Sequence, residues 1–211
     1  MRIVALLSCC VAAGIIAAGC RRTPAGVAST QPAASRPATG PTTPWTPRAA
    51  DELSAAQAKQ VERGAQARDA LLKRLQEALA GAISGDDPAP AIGVCHEMAP
   101  RIATEVSREF GVRIGRTSYK LRNPNNAPPT WAIPYVDRRV DHPVHLVGPR
   151  GTVASLYPIK LKARCLLCHG AAEQIPPKIR QALAADYPSD RATGFKRGDL
   201  RGWFWVEVPA P

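Results

Sequence analysis

"GDLRGWFWVEVPAP", residues 198–211, is the stretch on which the fold class turns. Trp203, Trp205 and Glu207 alternate with Phe204, Val206 and Val208, so their side chains divide between two faces with the period of a β-strand. The pattern predicts a half-buried strand. Upstream, "VHLVG" (144–148), a turn at Pro149-Arg150-Gly151 and "TVASLYPIKL" (152–161) predict a hairpin or meander. "VRIGRTSYKLR" (112–122) alternates in the same way and is rich in β-branched and aromatic residues. Between these strands, "NPNNAPP" (123–129) has the composition of a turn or loop, and "TWAIPYVDRRV" (130–140) that of a short helix.

Before the strands the texture is helical. "DELSAAQAKQVERGAQARDALLKRLQEALAGAIS" (51–84) contains good helix formers and no proline. Val61, Ala65, Leu72, Leu75, Leu79 and Ile83 recur at roughly helical spacing, which predicts a long amphipathic helix. "GDDPAP" breaks it. A second helix is expected from Pro90 to Phe110, with Ile92, Cys95, Ala99, Ile102 and Val106 on a shared face, a kink at Pro100 and a left-handed glycine end at Gly111. Two helices followed by an antiparallel sheet make an α+β domain, expected over 51–211.

The residues ahead of it read as an address and a spacer. "MRIVALLSCCVAAGIIAAGC" has one charge, Arg2, then an apolar run and small residues ending at Cys20. Residues 1–20 are expected to be a signal peptide, because the run is short for a membrane stop and polar, Pro-rich residues follow. Ala17-Ala18-Gly19-Cys20 resembles a bacterial lipoprotein box, which makes Cys20 the expected lipidated residue; cleavage without lipidation, giving a secreted protein, is the runner-up. Either way the domain lies outside the cytoplasm, on the periplasmic side of a bacterial membrane if lipid-anchored. Residues 21–50 contain little that could form a core and are expected to be an extended linker.

The formal net charge of +11 suits an acidic protein partner or an anionic membrane surface. Lysines and arginines are spread along the chain with no stripe of stacking aromatics among them, so nucleic acid is not an expected partner.

The chemistry gathers at "RCLLCHG" (164–170). A structural zinc site usually draws on two Cys-x-x-Cys pairs, and there is no second pair. A thioredoxin-like motif belongs to a βαβ pattern, which this region lacks. Cys-x-x-Cys-His is the attachment signature of a c-type haem, in which two thiols add to the haem vinyl groups and the adjacent imidazole reaches the iron. Cys165 and Cys168 are then the anchors and His169 the proximal ligand. No methionine follows Met98, which excludes a downstream methionine as second ligand. In "GVCHEMAPR" (93–101), Cys95 and Met98 lie near one helix face, with His96 turned about a hundred degrees away. Cys95, Met98, His142 and His145 all remain options on spacing alone.

"AIGVCHEMAP" (91–100), "GRTSYKLRNPNNAP" (115–128), "CLLCHG" (165–170) and "YPSDRATGFKRGDLRGWFWVEV" (187–208), in this order, resemble the PAS-like monohaem c-type domains, a family of largely unassigned function that also supplies sensor portions to histidine kinases. The resemblance spans nearly all of residues 51–208. It implies a PAS-like antiparallel sheet flanked by long N-terminal helices, one covalently bound haem c on Cys165 and Cys168, and axial ligation by His169 and Cys95. Arg116, Arg122 and Asn123, in the second motif, are candidate partners for the haem propionates, since arginine holds a carboxylate in a fork; a strand and structural turn is the equal alternative. Tyr187, Pro188, Asp190, Gly194 and Gly198 read as loop geometry, and Trp203 and Trp205 as core. The expected role is electron transfer or redox sensing with an unidentified redox partner protein, because two protein ligands leave the iron no free position. The alternative is a gas-responsive sensor in which Cys95 leaves on reduction. A catalytic role is the least favoured, since no distal acid–base pair is legible.

Overall fold

The computed structural model describes residues 44–83 and 87–211. The expected signal peptide, the lipidation residue Cys20 and most of the expected linker lie outside these residues. Among the described residues no helix is long and apolar enough to cross a membrane.

Five antiparallel strands form one sheet: β1 (Thr46–Arg48), β2 (Arg113–Thr117), β3 (Val144–Val147), β4 (Val153–Lys160) and β5 (Leu200–Val208), in the order β1-β3-β4-β5-β2. With α1 (Ala55–Ile83) and α3 (Ala99–Phe110) packed on one face, this is the expected α+β, PAS-like arrangement. The hairpin of β3 and β4 pairs Val147 with Val153 across the turn at Pro149–Gly151, as its sequence suggests.

β5 is central, and its two faces meet different layers. Phe204, Val206 and Val208 join Ile114, Tyr157, Leu71, Leu75, Ile102 and Val106 in the core under the helices. The other face is not open to solvent, which corrects the half-buried expectation. Trp203, Leu146, Ala154 and Leu156 are covered there by Trp131, Ala132 and Val136, from the 3₁₀ turn Thr130–Ala132 and α4 (Ile133–Asp137). Glu207, alternating on this face, is buried but satisfied: it accepts from Trp131 Nε1–H at 2.8 Å and pairs with Arg113.

Three further expectations shift. The linker was expected to reach residue 50, yet Thr46–Arg48 pairs with His145–Val147, and Trp45 packs on Trp131. A Cβ on Gly148 would sit 2.4 Å from the Trp45 ring, so glycine there makes room for this N-terminal strap. In α1 the buried stripe is Gln60, Gly64, Ala67, Leu71 and Leu75, rotated from the larger apolar residues expected. Small residues bring the helix close to β5, and Gln60 donates to the carbonyls of Gly151 and Val208, both at 3.0 Å. The strand expected over 112–122 ends at Thr117 because Ser118 turns the chain: its hydroxyl donates to the Arg201 carbonyl at 2.6 Å and accepts from Lys120 N–H at 3.0 Å.

His145, on β3, lies 2.8 Å from the Ser155 hydroxyl through Nδ1, and burial lowers its pKa. The unfolded chain therefore takes up this proton first as pH falls below about 6.5. Stability is expected to be level above that pH on this account and to decline below it. Urea midpoints at pH 7.5 and 5.5 test this, and His145→Gln should show the smaller decline.

Candidate haem-attachment site

The second helix is not a single α-helix. α2 (Pro90–Gly93) leads into a π-helical turn, Val94–Met98, and α3 continues from Ala99. Ala99 N–H bonds to the Val94 carbonyl, five residues back. Pro100 has no N–H with which to continue an ordinary ladder, and the wider turn just before it absorbs the irregularity in place of the expected kink. Single π-turns inside helices recur at functional sites. This one carries Cys95, half-buried, with His96 and Met98 exposed beside it.

The other half of the site is a single turn, α5 (Leu166–His169), which follows β4 through a 3₁₀ turn at Ala163–Cys165. Gly170 closes it: its N–H bonds to the Leu166 carbonyl, and a Cβ on it would meet that oxygen at 2.6 Å. Cys165 and Cys168 are half-buried free thiols. Burial raises the Cys168 pKa to about 11, with Arg122 opposing and Cys95 and Cys165 adding to the rise.

His169 is the best-positioned group. Its Nδ1 lies 2.7 Å from the Ala192 carbonyl. A carbonyl can only accept, so Nδ1 carries the proton and Nε2 keeps its lone pair. Burial, then Arg122 and Arg201, push its pKa well below the usual imidazole value, so the ring is neutral. The loop 187–195 holds it from both sides, with Phe195 N–H bonded to the His169 carbonyl at 3.0 Å and Gly194 N–H to Gly170 at 2.8 Å. Gly194 and Gly198 have φ of 77° and 90°, the loop geometry expected of them.

Arg122 is buried and locks this loop to the motif. Its Nε pairs with Asp190 at 3.0 Å, and its Nη2 donates to the Cys168 carbonyl at 2.6 Å. Asp190 also accepts from Ala192 N–H at 2.7 Å. Arg122 is thus committed to protein acceptors rather than open to a propionate. Asn123 caps its own turn through Oδ1, which accepts from Asn125 N–H at 2.9 Å, while its side-chain N–H donors have no partner among the described residues.

Arg116 stands differently. No hydrogen bond or ion pair engages its guanidinium among the described residues, and burial lowers its pKa while Cys95 and Tyr187 oppose that. It lines a cleft of about 250 Å³ between α3, β2 and the turn at Asn125–Ala127. Arg201, outside that cleft, is a second cation near Arg116 and Arg122, one that strand alternation gives no reason to single out. Arg201 donates to the Lys120 carbonyl at 3.1 Å and lies 5.6 Å over the Phe195 ring, but its buried Nε has no partner. Burial, then Arg122 and Arg116, bring its pKa down to about 10. The arginines leave a surplus of positive charge here and one buried donor, Arg201 Nε, unmatched.

The fold therefore gathers Cys95, Cys165, Cys168, His169, Arg116, Arg122 and Arg201, with Tyr187 between the π-turn and the loop; its ring meets His96 edge-on at 5.3 Å. Met98 is on the same π-turn but 44% exposed. His142 is exposed beside Asp141, and His145 sits two strands from β5, so neither joins the group. Among the described residues no three of His, Cys, Asp and Glu come close enough to hold a bare metal ion.

The chain belongs to the Tll0287-like family, whose model matches residues 47–209. Among solved structures it is similar to the cyanobacterial heme-protein Tll0287, at 29% identity over 67% of this chain and 91% of that one, with a TM-score of 0.49. No curated protein matches it.

Proposed function

We propose that this chain is an extracytoplasmic c-type cytochrome. Cys165 and Cys168 would attach one haem, and His169 Nε2 and Cys95 Sγ would hold its iron. The observation that carries this reading is the His169 imidazole, pinned through Nδ1–H to Ala192 with Nε2 free beside two unpaired thiols. Ligating histidines characteristically donate their other N–H in this way. The cation surplus at Arg116 and Arg201 fits the carboxylates of such a group, and these two are better candidates to hold it than Arg122 or Asn123.

When bound, the haem supplies a one-electron change between ferric and ferrous iron. The protein's part would be to hold that iron through His169 and Cys95. Arg122, Asp190 and Ala192 hold His169 in one orientation. With both positions held, electron transfer or redox sensing is the work such a site does, with a separate redox protein as partner. Cys20 would tether the domain to the membrane through lipid, leaving it free to reach.

Mass spectrometry of the denatured protein, purified from cells that mature c-type haem, tests the assignment. The polypeptide should carry the added mass of one haem, and Cys165→Ala/Cys168→Ala should lose it. A native protein without haem, in which both thiols alkylate freely, would overturn the reading.

The π-turn favours a second reading, because a ligand on a widened turn can withdraw with little disturbance to the helix on either side. Cys95 would then leave on reduction and admit a gas. Carbon monoxide added to the ferrous protein separates the two: an unchanged spectrum keeps Cys95 bound, and a shifted one makes the chain a gas-responsive sensor.

A further inference from the structure

We propose that the cations surrounding the Cys165–His169 turn form the docking surface for an acidic protein that exchanges electrons with this chain; the inference rests on the haem reading above. Backbone hydrogen bonds place these cations around the motif. Leu161 N–H bonds to the Asp199 carbonyl at 3.0 Å and Gly198 N–H to the Leu161 carbonyl at 2.8 Å. Phe195 N–H and Gly194 N–H bond to the carbonyls of His169 and Gly170. Residues 161–170 and 194–199 are thereby laced into one surface with the motif inside it.

That surface carries Lys162, Arg164, Lys196 and Arg197, and Arg191 lies in the loop that leads into it, all five exposed. None of these five belongs to an ion pair among the described residues, a state shared with Lys59, Arg101 and Arg108 on the helices, where Arg68, Lys73, Arg74 and Lys178 do have a carboxylate partner. Of the carboxylates here, Asp190 is paired with Arg122, and Asp199, which accepts from Lys196 N–H at 2.7 Å, sets one negative charge against the five cations. Part of the chain's positive balance is thus left uncompensated where an electron would enter or leave. Charges so placed steer an anionic partner to the surface and set its orientation there. An acidic protein fits this position better than a lipid surface, because a bilayer pressed on the motif would bar the redox partner from it.

The test oxidises the ferrous holoprotein with two one-electron probes, anionic hexacyanoferrate(III) and cationic hexaammineruthenium(III). In each case the iron passes one electron to the probe and becomes ferric, and no proton moves. The hexacyanoferrate(III) rate should fall as salt is added, and the ruthenium rate should rise. Lys196→Glu/Arg197→Glu should slow hexacyanoferrate(III) about tenfold. Lys59→Glu/Lys73→Glu, the same charge change placed on α1, should slow it much less, because charges beyond a Debye length of about 10 Å are screened. Equal slowing in the two variants would reduce the effect to net charge and overturn the proposal. So would a variant at 196 and 197 that loses binding to phosphatidylcholine–phosphatidylglycerol vesicles while oxidising at the normal rate, since the surface would then face lipid. A protein that retains no haem, or that neither probe oxidises, fails at the haem reading itself, a result distinct from either of these.

Discussion

Arg122→Leu should cost the folded protein about 3–5 kcal/mol, the usual consequence of removing one partner from a buried ion pair. The guanidinium is inaccessible, and three groups depend on it: the Asp190 carboxylate at 3.0 Å, the Cys168 carbonyl at 2.6 Å and the Ala192 carbonyl at 3.5 Å. Without it Asp190 keeps only the Ala192 N–H and loses its counter-charge in a site it cannot leave. The Ala192 carbonyl also fixes His169, so the loss reaches the proximal side of the site as well as the overall stability. Urea unfolding gives the first effect, and the ferric spectrum gives the second as a changed low-spin signal. Arg122→Leu/Asp190→Leu should recover part of the stability, because the stranded charge goes with its partner. A single variant that unfolds within about 1 kcal/mol of wild type, near the value of an exposed pair, would mean that the two groups are not buried together.

Trp203→Ala should be nearly as damaging, about 3–5 kcal/mol. The indole is wholly buried in the layer on the far side of the sheet, near Trp131, Leu156 and Ala154, and 6.3 Å from the Tyr119 ring. Its Nε1–H donates to the Val140 carbonyl at 2.7 Å. Truncation removes the largest fully buried side chain among the described residues and leaves the carbonyl unpaired. Trp203→Phe separates the two causes: it retains most of the apolar volume and should cost about 1–2 kcal/mol for the hydrogen bond alone. Thermal and urea melts of the two variants measure the difference. Equal losses would place the whole effect in the hydrogen bond and none in packing.

What could be read from the chain in advance follows the range of the interactions. The Cys165–His169 turn was legible because its chemistry is contained in five neighbouring residues. The division of residues 203–208 between two faces was legible from alternation. That both faces are covered was not, since the cover comes from Trp131, Ala132 and Val136, a short segment with no periodicity of its own. Trp45 was overlooked within Pro- and Thr-rich surroundings; a lone large aromatic in a spacer was the available signal, and Gly148 is its distant counterpart. The stripe on α1 was displaced because apolar bulk was weighted over fit, whereas Gly64 and Ala67 let the helix approach. In the site, residue type pointed to the arginines, but partners decide their roles. Arg122 is committed to Asp190, Asn123 caps its own turn, and Arg201 is left with a buried donor unmatched. Pairings of that kind, 46 and 68 residues apart for Arg122, leave no local trace. Cys95 was singled out by resemblance, and the fold adds that it shares a neighbourhood with Cys168, Arg116 and Arg201, where Met98 faces outward and His145 is two strands from β5.

The most direct measurement is the ferric absorption and electron paramagnetic resonance spectrum of the protein beside that of Cys95→Ala. The account predicts a low-spin thiolate signature in the wild type and its disappearance in the variant, with haem still attached through Cys165 and Cys168. Matching spectra from the two proteins would contradict it, because another residue would then hold the second position on the iron.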